Sequence, residues 1–169
     1  METREAILSR RSVRKFLDTG VPRELILELI EAAAAAPSAC NKRPVRLYVI
    51  TDRELLSALD RSGRFTKISS PLAIVVVGDM KKRLPRSFGD YWLHDAAAAT
   101  ENILVMATAR GLGSCWCGVY LQPSLMESIS KILGLDAETV PFSLIRIGYP
   151  AESVEPHSGY DEGFCTFME

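Results

Sequence analysis

Residues 10 to 15, Arg10-Arg11-Ser12-Val13-Arg14-Lys15, carry four cations and no acid. Arginine presents a planar fork of donors that fits phosphate oxygens. Each charge-assisted bond of that kind contributes about 1.5–3 kcal/mol. Arg10, Arg11, Ser12 and Arg14 could therefore enclose a phosphate and the polar edge of an adjacent ring. Taken alone, the segment reads rather as a solvated basic face. A second group is Pro37-Ser38-Ala39-Cys40-Asn41. Pro37 fixes the chain direction, and Ser38 and Asn41 supply short polar groups. An asparagine amide both donates and accepts, which suits the edge of a pyrimidine-like ring. A plain helix-to-strand turn is the alternative. The third group is Gly111-Leu112-Gly113-Ser114-Cys115-Trp116-Cys117-Gly118. Glycines let backbone N–H groups approach a ligand closely. They also stop a helix and start a tight turn.

The four cysteines, Cys40, Cys115, Cys117 and Cys165, do not make a disulfide scaffold at this density. Cys115 and Cys117 lack the C-x-x-C helix start that lowers a thiol pKa, and no paired C-x-x-C spacing suggests zinc. Buried or incidental thiols are the expectation, with no metal site. Lys42, Arg43 and Arg46 form a second basic group, and Lys81, Lys82, Arg83 and Arg86 a third. No Lys or Arg follows Arg146, whereas the tail holds Glu152, Glu155, Asp161, Glu162 and Glu169. Local basic groups in a neutral chain point to small anionic ligands more than to a polyanion.

The elements must place these groups. The chain has 169 residues, 47% hydrophobic and 24% charged, the makeup of one globular domain with a sizeable core. The formal charge of −1 argues against nucleic acid bound by bulk charge. No apolar run approaches the ~20 residues of a membrane span. Met1 to Arg14 has no signal-peptide core, so the expected location is cytoplasmic. The spacing predicts a short helix over 3–9 and a helix from Pro22 to Ala36. Asp52 should cap a helix running to about Asp60. Tyr91 to Arg110, alanine-rich and apolar on more than one side, predicts a central buried helix. Pro123 should open a last helix that Gly134 stops. Strands are expected over Leu47–Thr51, Leu72–Val77, Ser114–Tyr120 and Phe142–Ile147, the second buried on both faces. This alternation reads as one α/β-type domain. Residues 149–169 show no periodicity, and should either hug this chain or reach onto a partner.

The three groups, in this order, resemble the nitroreductase family of FMN-dependent oxidoreductases. The matching text is Arg10-Arg11-Ser12-Val13-Arg14-Lys15-Phe16, then Ala36-Pro37-Ser38-Ala39-Cys40-Asn41, then Asp95-Ala96-Ala97-Ala98-Ala99-Thr100-Glu101-Asn102-Ile103-Leu104, then Gly111 to Trp116, with Gly148-Tyr149-Pro150 after the last strand. The resemblance covers nearly the whole chain and its compact branch fits the length. It implies an α+β sandwich with a mostly antiparallel sheet flanked by helices. It implies one FMN-binding domain over 1–169 and an intertwined homodimer, with the 149–169 tail extending over the partner. Arg10, Arg11 and Ser12 would hold the FMN phosphate and ribityl chain, and Arg14 would lie at the N1–C2 carbonyl side. Pro37, Ser38 and Asn41 would meet the ring from the other chain. Ser114, Cys115, Trp116, Cys117 and Gly118 would line the flavin near N5, largely through backbone. The implied reaction is ping-pong: NAD(P)H gives hydride to N5, and a nitroaromatic, quinone or similar conjugated acceptor removes it. No side chain is assigned as catalytic acid or base.

The sequence departs from the family in two places. Where the family often has Asn-x-Gln-Pro-Trp, this chain has Asn41-Lys42-Arg43-Pro44-Val45, so Arg43 either contacts flavin or substrate or faces solvent. The tail lacks the basic residue that reaches the phosphate in many members, so either Arg10 and Arg11 suffice, with help from a residue such as Arg146, or FMN binds more weakly. Residues 79–90 are a candidate substrate lid or a solvated basic loop. Other readings are a non-catalytic binder of FMN or another phosphorylated ligand, a flavin-dependent dehalogenase on the same scaffold, and a thiol oxidoreductase using Cys115 and Cys117.

Overall fold

Proline, aspartate and glycine set the helix limits. In the computed structural model, which describes residues 1–155 and 159–169, α1 spans Thr3–Ser9 and α2 spans Arg23–Ala34 after Pro22. Helix α2 ends two residues before the expected Ala36. The Ala35 and Ala36 N–H groups donate to Glu31 O and Ala33 O, at 3.0 and 3.2 Å, and Pro37 cannot continue the helix. Asp52 accepts from the N–H groups of Glu54 and Leu55, capping α3 (Arg53–Asp60). Helix α4 is Trp92–Ala109, and α5 is Pro123–Leu133, closed by Gly134 at φ 63°. The strands are β1 (Val45–Ile50), β2 (Leu72–Asp79), β3 (Gly113–Gly118) and β4 (Thr139–Gly148). Strand β4 starts three residues earlier than expected.

The sheet order is β1-β2-β4-β3, and every pair is antiparallel. This is the α+β arrangement, and it corrects the α/β reading of the alternation. Ile50 at the end of β1 pairs with Ala73 near the start of β2. Helix α3 thus returns the chain to the end it left, instead of crossing to the other end as a parallel pair requires.

Strand β2 is buried on both faces as expected, and its side chains alternate between two cores. Leu72, Ile74 and Val76 join Ile26 and Leu29 of α2 and Ala96 and Ile103 of α4. Ala73, Val75 and Val77 join Leu56 and Leu59 of α3, Leu125 and Ile129 of α5, and Cys115 and Cys117. Each fully buried aliphatic side chain contributes about 1.5–3 kcal/mol. One charge lies in the second core. Arg146 of β4 is 0% exposed, with Nη2 2.8 Å from Asp60 Oδ1 and donating to Thr66 O at 3.1 Å. Burial pushes the Asp60 carboxyl above its usual range, against the pull of Arg146 and Arg61. Among the described residues no helix is long and apolar enough to cross a membrane.

Candidate functional site

Strand β3 and its outer neighbour, residues 10–17, form the first half of the site. Alternation along β3 sends Cys115 and Cys117 into the α3/α5 core, and Ser114 and Trp116 to the other face. Residues 10–17 run beside this strand and the segment after β4. Ser12 bridges Ser114 in parallel, and Val13 N–H donates to Ser114 O at 2.9 Å. Val13, the apolar residue in the basic run, is buried and pins the segment. A Cβ on Gly113 would lie 2.8 Å from the Val13 side chain, so the close approach requires glycine here.

The cations flank this seam. Arg10 Nε lies 3.3 Å from Glu101 Oε1 on α4. Arg11 donates from Nε to Glu155 O at 3.0 Å and from Nη1 to Arg10 O at 2.7 Å. Arg14 is exposed, its Nη1 donating to Ser12 O at 3.3 Å. The N–H groups of Arg14 and Lys15 both donate to Glu152 Oε1, and the Arg14 bond is the main reason its carboxyl sits below its usual range. Ser114 is 1% exposed, and its Oγ has no hydrogen-bond partner among the described residues.

The second half is the turn 37–44. Cys40, Asn41 and Arg43 all adopt positive φ, at 50, 53 and 49°, a left-handed conformation that non-glycine residues seldom take. The turn is tied down from within. Arg43 N–H donates to Ser38 Oγ at 3.0 Å, and Arg43 Nε to Asn41 Oδ1 at 2.8 Å. The Asn41 amide thus spends its acceptor on Arg43 and keeps its donors. Ala39 N–H donates to Asp95 Oδ1 at 2.9 Å, anchoring the turn to the first helical turn of α4. A cavity of about 360 Å³ opens here, bordered by Pro37, Ser38, Arg43, Arg46 and Asp95.

Within one chain these halves stay apart. Arg10 meets α4 at Glu101, and the turn meets it at Asp95, six residues away. The structure brings Ser12 and Val13 against Ser114 at the start of β3, with Arg10, Arg11 and Arg14 flanking that contact, and sets Pro37, Ser38, Asn41 and Arg43 elsewhere. Arg146 is buried against Asp60 in the α3/α5 core, so it cannot stand in for the missing tail cation. Sequence reasoning missed Glu152 as a clamp on residues 14 and 15, and Glu101 as the partner of Arg10. Glu101 is exposed and Glu152 half-buried, and each meets its partner from a distant chain segment, so nothing local marks them. The Cys115 thiol is held below the ordinary range, mainly by a hydrogen bond with Cys117, with Arg14 and Arg146 adding to it. Cys117 is pushed up by the same bond and by burial.

The chain matches the family description "Nitroreductase family" over residues 7–64 and 61–149. It is a member of that family. A relative in Methanothermobacter thermautotrophicus, provisionally named NADH dehydrogenase/NAD(P)H nitroreductase, is 38% identical over 157 residues, 90% of this chain and 80% of that protein. A crystal structure from Parabacteroides distasonis with the same provisional name superposes at a TM-score of 0.90, with 35% identity over 98% of this chain and 96% of that one. A nitroreductase, also provisionally named, from Desulfovibrio desulfuricans was solved in complex with FMN. It superposes at 0.79 with 27% identity, covering 94% and 93%. In nitroreductase terms, the departure at Arg43 is absorbed locally, since that guanidinium turns back onto Asn41.

Proposed function

We propose that this chain is an FMN-dependent oxidoreductase that passes hydride from NAD(P)H to a nitroaromatic, quinone or similar conjugated acceptor in a ping-pong cycle. FMN, when bound, supplies the hydride-accepting and hydride-donating chemistry at N5. The observation that carries the reading is the seam itself. An arginine segment suited to a phosphate lies against a glycine-containing strand, with the Ser114 hydroxyl buried and unpartnered between them. Such a hydroxyl in a low-dielectric setting favours a polar ligand. The residues present therefore fit FMN. Arg10, Arg11 and Ser12 would hold its phosphate and ribityl chain. Arg14, without a carboxylate within ion-pair distance among the described residues, is available to place a fixed cation beside N1 and C2. Backbone of Ser114, Cys115, Trp116, Cys117 and Gly118 would border N5.

Two copies of the chain would complete each site. The half carrying Pro37, Ser38, Asn41 and Arg43 would come from the partner. Strand β1 is an unpaired edge of the sheet with Tyr48 and Val49 exposed, and Tyr160, Phe164, Phe167 and Met168 are exposed on the tail. Residues 149–155 of the expected tail stay with their own chain, where residues 149–151, Glu152 and Glu155 O are hydrogen-bonded to residues 11–17, so only its later part would reach the partner. Residues 156–158 of the expected tail lie outside the described residues. The whole of 1–169 would act as one FMN-binding domain.

The test is the absorbance spectrum of the purified protein with added FMN, before and after NAD(P)H. Bound-flavin bands near ~450 nm that bleach with NAD(P)H and return with a quinone or nitrofuran are expected. A protein that binds FMN without being bleached would be a binder, and a colourless one that ignores FMN would end the reading.

A further inference from the structure

The loop between β2 and α4 holds charges that the FMN site does not use. Its two feet stand on the 39–44 turn. At one foot, Asp79 N–H donates to Pro44 O at 2.7 Å, and Arg46 Nη2 lies 3.9 Å from Asp79 Oδ2. At the other, Asp95 accepts from Ala39 N–H. Residues 80–91 therefore arch along the turn expected to meet the flavin ring. This fuses two basic groups that are separate in the sequence: Lys42, Arg43 and Arg46 with Lys81, Lys82, Arg83 and Arg86.

Three of the nearby acids are already engaged, while Glu138, whose backbone O accepts from Met80 N–H, forms no ion pair among the described residues. Asp79 faces Arg46 and accepts from Lys81 N–H, and Asp90 lies 3.7 Å from Arg83. Asp136 accepts from Thr139 Oγ1 and Glu138 N–H, with Lys81 as a weaker neighbour. Lys42, Lys81, Lys82 and Arg86 form no ion pair among the described residues. Phe88, on the same arch, is 66% exposed and offers an aromatic face.

We propose that this arch binds the phosphorylated adenosine half of the nicotinamide donor and selects the 2′-phosphorylated form, NADPH, over NADH. The inference rests on the reading above that the donor is a nicotinamide nucleotide. Of the two substrates in that reading only the donor carries phosphates, while a flat neutral acceptor has no use for four unpaired cations. A 2′-phosphate adds about two negative charges to those of the pyrophosphate, and lysine and arginine clusters favour the more highly charged ligand. Phe88 is placed to stack on the adenine. The FMN phosphate is assigned to Arg10 and Arg11, outside the arch.

The experiment uses the FMN-loaded protein and the triple variant Lys81→Ala/Lys82→Ala/Arg86→Ala, all exposed positions. KM for NADPH and NADH is measured with one neutral quinone, and NADP+ and NAD+ are titrated calorimetrically. Wild type should show a lower KM for NADPH and tighter binding of NADP+. The variant should raise KM for NADPH about tenfold and that for NADH less than about threefold, with kcat and FMN content unchanged. Equal preference in wild type, an unaltered KM in the variant, or loss of FMN from the variant would each overturn the proposal. Calorimetry separates this failure from that of the hydride reading. NADP+ binding that weakens in the variant, in a protein that oxidises neither nucleotide, keeps the arch and discards the reaction. Absence of NADP+ binding discards the arch whatever the activity.

Discussion

Arg14 and Arg10 differ in how far they are committed within the protein. Arg10 already faces Glu101, whereas among the described residues the Arg14 guanidinium donates only to the Ser12 carbonyl. Each charge-assisted contact to FMN is worth about 1.5–3 kcal/mol, and tenfold in affinity is about 1.4 kcal/mol. Arg14→Ala and Arg10→Ala should each weaken FMN by about tenfold or more, read by quenching of flavin fluorescence; unchanged affinity in both would remove these residues from the site. Cys115 makes a second statement at this scale. Its thiol is lowered below the ordinary range by the bond with Cys117. A depressed pKa adds stability that is complete above the unfolded thiol value and is lost as pH falls through the folded one. Thiolate absorbance should already be present near neutral pH and vanish in Cys115→Ser, with denaturant midpoints of wild type and variant converging in acid. No thiolate signal until well above the usual thiol range would contradict this.

Between elements, the close contact at Gly113 decides where the arginine segment lies. Gly113→Ala would place a methyl group 2.8 Å from Val13, pushing residues 10–14 off β3. Overpacking of this kind costs about 1–3 kcal/mol. A lowered urea midpoint together with weaker FMN binding is expected, and normal FMN affinity would show that the seam does not hold the cofactor. Much of this level was legible in the sequence. Pro22, Asp52, Pro123 and Gly134 mark helix limits because each acts through its own backbone or side chain. Strand ends were less legible, since β4 is extended at its start by pairing with β2, a partner sixty or more residues away in the chain. The direction of pairing was not legible from the alternation of elements, because a helix between two strands does not say which end of the sheet the chain returns to. The local motifs at 10–14, 37–41 and 111–118 could be read because their residue types carry chemistry by themselves. Their acidic partners, Glu101 and Glu152, could not, because distant chain segments bring them in.

For the whole molecule, the separation of the two halves of the proposed site is what decides the prediction. Arg10 to Arg14 sit at the β3 edge of the sheet, and the turn 37–44 leads into β1 at the opposite edge. Light scattering of the FMN-bound protein should give twice the mass of one chain, and a flavin-loaded monomer would refute the shared site. If each site draws one half from each protomer, damage in the two halves is separable. Mix a chain altered at Arg14 with a chain altered at Asn41, unfold them and refold them together. Half of the sites in each mixed pair would then carry both lesions, and the other half neither. Two preparations that are each weakened in FMN binding would then recover tight binding in half of the sites of each mixed pair, a form of genetic complementation written into the order of four strands.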